Sequence, residues 1–191
     1  MSEELQGLVA SIVAAAPGLP DPATVAGWSP ELSGDIDITI LADGRWTHAG
    51  EPIQREGLVR LFASLLRRES DGHYYLVTPV EKWRIAVERH ALQAIDCECV
   101  GSNGSGVWQV LLNTGGRCQL GGPYRLHLPA ADSGTGEGTA QPGEPYVDLP
   151  NGLTAQLSRP AWYRLVDAAA VENGRAFVLS AGESIDLGAI D

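Results

Sequence analysis

Eight side chains in the first half of the chain have the types and spacing for ligand chemistry: Arg45, Trp46, His48, Arg55, Arg60, Thr78, Glu81 and Lys82. Arg55 stands just before a stretch of helical spacing, where the open N–H groups of a first turn already favour an anion. Its planar guanidinium suits carboxylate or phosphate recognition. Arg60 and Arg67 are seven residues apart, so they share a face of that helix beside its apolar stripe. Trp46 and His48 alternate on an extended segment and share one of its faces. There the indole could stack a base and the imidazole could donate to a phosphate. Thr78, Glu81 and Lys82 surround Pro79, which interrupts a strand ladder and leaves a polar rim. These basic residues suit internal ion pairs with Asp35, Asp37 or Glu81 equally well.

Other groups carry weaker chemistry. Asp35 and Asp37 alternate with Ile36, Ile38 and Ile40, so the two acids share the face opposite the apolar one. With Glu81 they could do acid–base or metal work. No third carboxylate stands at metal-loop spacing, and a solvated or Arg-paired face is the plainer reading. Cys97, Cys99 and Cys118 lack a fourth ligand and the Cys-x-x-Cys knuckle of a zinc site, and read as buried free thiols. The glycine clusters at 101–106 and 134–138 lack the lysine and the following helix of a phosphate loop. No metal or cofactor is expected.

The charge is uneven. The chain has 191 residues and a net charge of −11, with local balances of −7 over 1–44, +2 over 45–89 and −6 over 90–191. Twelve of the thirteen basic residues are Arg, and most of the candidates above fall in the one basic segment. The overall charge argues against sequence-independent binding to a nucleic-acid polymer or an anionic membrane. No apolar run reaches the roughly 18 residues a spanning helix needs. Glu3 and Glu4 precede the apolar stretch near the N-terminus, where a signal peptide would be basic. With an odd cysteine count, the expectation is a reduced, cytoplasmic protein.

The elements that must hold these residues are legible in part. Leu5, Leu8, Val9, Ile12 and Val13 predict an amphipathic N-terminal docking helix, ended by Pro17, Pro20 and Pro22. Asp43-Gly44, Asp71-Gly72, Asn103-Gly104, Gly115-Gly116, Asn151-Gly152 and Asn173-Gly174 predict hairpin turns. Leu58, Val59, Leu61, Phe62, Leu65 and Leu66 predict one helix face. Residues 129–145, rich in Gly, Pro, Ser and Thr, predict a mobile loop.

A repeat is visible at an offset of 104. Arg55-Glu56-Gly57-Leu58-Val59-Arg60-Leu61-Phe62 matches Arg159-Pro160-Ala161-Trp162-Tyr163-Arg164-Leu165-Val166, each after a turn pair. Tyr75-Leu76-Val77-Thr78 then matches Phe177-Val178-Leu179-Ser180, and Glu81 matches Glu183. The expected fold is α+β, with two small lobes from an internal duplication, each a curled antiparallel sheet with one covering helix. The expected parts are an N-terminal helix and linker over 1–27, a first lobe over 28–88 and a second over 89–191.

The first repeat resembles a bacterial family known as domain of unknown function 1285. The resemblance rests on Trp28-Ser29-Pro30-Glu31-Leu32-Ser33-Gly34-Asp35-Ile36-Asp37-Ile38 and on Asp43-Gly44-Arg45-Trp46-Thr47-His48-Ala49-Gly50-Glu51-Pro52-Ile53-Gln54-Arg55. It continues in Leu58 to Glu69 and in Tyr75-Leu76-Val77-Thr78-Pro79-Val80-Glu81-Lys82, and loosens after Val87. It implies a duplicated two-lobed fold with a second lobe like pleckstrin-homology domains. It also implies a nucleotide-like ligand between the lobes and a role in signal transduction. Glu88-Arg89-His90-Ala91-Leu92 departs from the acidic residue and Pro-Phe pair of the family, and Leu179 and Ser184-Ile185-Asp186-Leu187 stand where it has aromatics. The leading expectation is a non-enzymatic regulatory module for a small anionic ligand. The rivals are a protein-interaction scaffold, with a protein partner in place of the ligand, and a hydrolase using Asp35, Asp37 and Glu81.

Overall fold

Isoleucines alternating with acids and Thr build the first strand, because alternate side chains leave a strand on opposite faces. The computed structural model describes residues 3–15, 18–101, 106–129 and 144–190. It divides into two units, Met1–Ala91 with Pro150–Leu153, and Leu92–Leu149 with Thr154–Asp191.

In the first unit, helix α1 (Glu3–Ala15) buries Ile12 and leaves Val13 exposed. Pro22 starts a second helix, α2 (Pro22–Ala26), instead of closing the first. Proline costs nothing at a first helical position, and the Asp21 carboxylate caps the turn by accepting from the Thr24 N–H at 2.9 Å. Pro17 lies outside the described residues. Strands β1 (Leu32–Ile40), β2 (Trp46–His48) and β3 (Glu51–Pro52) form a meander, followed by helix α3 (Glu56–Ser64). A second meander follows: β4 (Leu66–Arg68), β5 (Tyr74–Val77) and β6 (Lys82–Val87). The sheet order is β3-β2-β1-β6-β5-β4, antiparallel except where β1 runs parallel to β6. Ile36, Ile38 and Ile40 are buried, and so are Leu58 and Phe62 of α3. Gly34 forms a bulge at φ 147°, where an added Cβ would lie 3.4 Å from the Trp83 ring.

The second unit repeats that strand order. Strands β7 (Leu92–Val100), β8 (Val107–Leu112) and β9 (Arg117–Gln119) form one meander. The other is β10 (Leu126–His127), β11 (Tyr146–Asp148) and β12 (Thr154–Leu157). The order is β10-β11-β12-β7-β8-β9, with β12 parallel to β7. Helix α4 (Arg159–Asp167) then packs on β7, with Ser158 as its N-cap and Pro160 in its first turn. A third sheet closes the chain, β13 (Ala170–Glu172), β14 (Arg175–Ser180) and β15 (Glu183–Ala189).

The chain is thus a mostly-β α+β protein with two six-stranded mixed sheets and a small third one. This corrects the expectation of purely antiparallel sheets. Turn dipeptides report only neighbouring strands, whereas a parallel pair joins strands far apart in sequence. The repeat is corrected too. Both helices do precede a three-stranded meander, but α3 lies inside its sheet's strand sequence, between β3 and β4, while α4 follows β12 and its meander is a separate sheet. The sheets correspond as β1–β6 with β7–β12, which is not the correspondence at offset 104. Asn103-Gly104 and residues 130–143 of the expected loop lie outside the described residues. Cys97 and Cys118 are buried as free thiols, flanking Val110 on either side. Cys99, expected to be buried, is exposed at the far end of β7, beyond the core.

Candidate functional site

One face of the first sheet carries most of its charge, beside a small buried cluster in which Tyr75 and Val77 pack against Val25 of α2. Arg67, Tyr75, Arg84 and Asp35 lie in register across β4, β5, β6 and β1. Arg84 holds Asp35 bidentately, Nε to Oδ1 at 2.6 Å and Nη2 to Oδ2 at 2.7 Å. That guanidinium keeps the Asp35 carboxyl below its ordinary range. Arg67 is on β4, not on the helix beside Arg60, because α3 ends at Ser64. Its Nη1 donates to the carbonyls of Val25 (3.3 Å) and Trp28 (2.7 Å), which ties α2 and the following chain to the sheet. Its Nη2 meets Glu69 at 2.5 Å, and Lys82 Nζ meets the same carboxylate at 3.1 Å. Burial pushes Glu69 up, but the hydrogen bonds from Arg67 and Lys82 outweigh it and hold the carboxyl below its ordinary value. Lys82 also sits 5.0 Å from the centroid of the Tyr75 ring. The Tyr75 hydroxyl donates to Asp71 at 2.7 Å, and that bond pushes its pKa up to about 12. Glu69, Asp71, Tyr75 and Arg84 were not singled out from sequence. The β4–β5 turn brings Glu69 and Asp71 to Arg67 and Tyr75, and strand register adds Arg84.

The polar rim is an internally bonded turn. Thr78 is buried, and its Oγ1 accepts from the Glu81 N–H at 2.9 Å and the Val80 N–H at 3.3 Å. Glu81 Oε2 accepts from the Ser11 hydroxyl at 2.7 Å and from Trp83 Nε1 at 3.5 Å. The carboxylates of the hydrolase reading are therefore dispersed: Asp35 and Glu81 serve separate partners, and Asp37 is exposed. Among the described residues no group of three or more His, Cys, Asp or Glu could hold a metal ion.

The remaining candidates gather around β2 and the start of α3. Arg45 pairs with Asp43 at 2.6 Å, at the exposed turn before β2. Trp46 is buried, its ring centroid 6.1 Å from that of Phe62 on α3. His48 is buried on the same face of β2. The indole is thus packed under the helix and does not present a stacking face to solvent. The Ile53 N–H donates to the Trp46 carbonyl at 2.8 Å, which brings the entry to α3 beside β2. Arg55 is the N-cap residue of α3, in extended conformation, and makes no side-chain capping bond. Its guanidinium is exposed and without a partner among the described residues. The N–H groups of Leu58 and Val59 both reach the Arg55 carbonyl, which leaves those of Glu56 and Gly57 open. A Cβ added at Gly57 would meet nothing within 4 Å. Arg60 faces Glu56 one turn back at 3.5 Å. Arg55 follows the edge strand β3, whereas Thr78, Glu81 and Lys82 lie at the turn between β5 and β6, on the other side of β2 and β1 in the sheet order.

Two mixed six-stranded sheets of like order, the first with an ion-paired face, set the class: a mostly-β α+β protein. The N-terminal domain model of "Domain of unknown function (DUF1285)" matches residues 23–90, ending at the border of the first unit. The crystal structure of a DUF1285 family protein from Silicibacter pomeroyi DSS-3 is similar at 37% identity and a TM-score of 0.78, over 96% of this chain and 95% of that one. A DUF1285 family protein from Shewanella baltica OS155 is similar at 27% identity and a TM-score of 0.52, over 69% of this chain and 91% of that one. None of the curated proteins matches. The chain belongs to the DUF1285 family.

Proposed function

We propose that the chain is a non-enzymatic regulatory module that binds a small anionic, nucleotide-like ligand, anchored at the N-terminal end of α3. One observation carries the reading. Of the basic candidates, Arg55 has no partner among the described residues, and it stands beside the two open N–H groups of α3. Open first-turn donors, the helix dipole and a guanidinium all favour negative charge. The net charge of −11 opposes an anion only weakly at this point. Exposed charges are screened beyond about 8 Å at physiological salt, and the surrounding segment is itself positive.

A thermal-shift panel of nucleotides, cyclic dinucleotides, sugar phosphates and inorganic phosphate tests the reading. A ligand at 100 times its dissociation constant adds about 2.7 kcal/mol, a rise of several degrees in Tm. The expected result is a shift from one anionic class that Arg55→Ala abolishes while the unliganded Tm stays within about a degree, as expected of an exposed substitution. A flat panel, or a shift that survives Arg55→Ala, overturns it. A second reading, a protein-interaction module, is favoured by the exposed Tyr163, Val166, Val171 and Leu179 of the second unit. Light scattering showing dimers supports it, and a monodisperse monomer counts against it.

A further inference from the structure

We propose that the core of the first unit holds a bound water bridging Trp46 Nε1 and His48 Nε2. The observation is independent of Arg55. Trp46 is 2% exposed and His48 7% exposed, and each has one side-chain nitrogen that is fully buried and without a partner among the described residues. They are alternate residues of β2, both buried, so they leave the strand on the same side. Opposite them on β1 stand Ile40 and Ile38, both fully buried, and Phe62 of α3 covers the indole.

Chemistry narrows the occupant. An orphaned buried donor is costly, and the great majority of buried polar atoms in folded proteins find a partner, often a water. The walls are isoleucine and phenylalanine, which disfavour a charged guest. An indole N–H only donates, so the occupant must accept from Trp46. A neutral imidazole nitrogen either donates or accepts, according to its tautomer. Water accepts two hydrogen bonds and donates two, so it satisfies the pair in either tautomer. Alternate residues on a strand are spaced by roughly 6.6 Å, and two hydrogen bonds through one oxygen span about 5 Å, so the two side chains have to converge slightly to share one water. Two protein partners are the fewest that hold a buried water.

A high-resolution crystal structure of the full chain is the test, read with water-to-indole magnetisation transfer in solution. The expected result is one oxygen within about 3.2 Å of both nitrogens, and a cross-peak from the Trp46 indole proton to a long-lived water. A His48→Phe variant, read in the same spectra, should weaken that cross-peak. An empty site, a solvent peak on one nitrogen only, a direct Trp46–His48 bond or a larger molecule across the pair overturns the proposal. An unchanged cross-peak in His48→Phe overturns it as well.

Discussion

Arg67 does more than any other charged residue of the first unit. Its guanidinium satisfies the carbonyls of Val25 and Trp28 and faces Glu69, with its side chain only 15% exposed. Removing it strands the Trp28 carbonyl, takes one of two donors from that of Val25, which keeps the Trp28 N–H at 3.2 Å, and leaves a part-buried carboxylate with Lys82 alone. Arg67→Ala should therefore cost about 3 kcal/mol in urea unfolding, the scale for breaking a buried charged pair from one side. The pH sign follows from Glu69. Its folded pKa lies below the ordinary 4.5, so its stabilising effect is full above that value and is lost as pH falls below it. Acid titration of stability should show a loss below about pH 4.5 that is smaller in Glu69→Gln. At this scale the sequence was only half legible. Arg67, Lys82 and Glu81 stand out as types, but their partners come from helices α1 and α2 and from the β4–β5 turn, and helix spacing alone puts Arg67 on the wrong element.

Elements follow local chemistry where local chemistry decides. The turns at Asp43-Gly44, Asp71-Gly72, Gly115-Gly116, Asn151-Gly152 and Asn173-Gly174 all join antiparallel strands. Their residues reach positive φ cheaply, and that preference is written in the dipeptide. The apolar stripe of α3 and the proline in the first turn of α4 were legible for the same reason. The parallel pairs β1–β6 and β7–β12 left no such mark. Gly152 illustrates a constraint that only the structure reveals. It sits at φ +70°, and a Cβ there would lie 3.0 Å from the Arg68 carbonyl oxygen. Gly152→Ala should destabilise the first unit by about 2 kcal/mol, from left-handed strain and backbone crowding together, as read by urea unfolding. A change below a few tenths would mean that the turn relaxes freely.

The whole molecule repeats one sheet plan and varies what is attached to it. The first unit inserts a helix between its meanders, and the second adds a helix and a third sheet after them. The match at offset 104 picked out the helix-and-meander succession but missed the larger correspondence, because strand order is a property of pairing and not of spacing. No described helix is long and apolar enough to cross a membrane. Within this frame the Arg55 guanidinium at the start of α3 has no partner among the described residues, and the proposed function turns on it. The most direct test is an amide-resolved nuclear magnetic resonance titration of the full chain with inorganic phosphate and then with the anion class that raises Tm most. The expected result is saturable shifts at the Glu56 and Gly57 amides, lost in Arg55→Ala. Saturable shifts confined to other amides, unchanged shifts in Arg55→Ala, or none at all would contradict it.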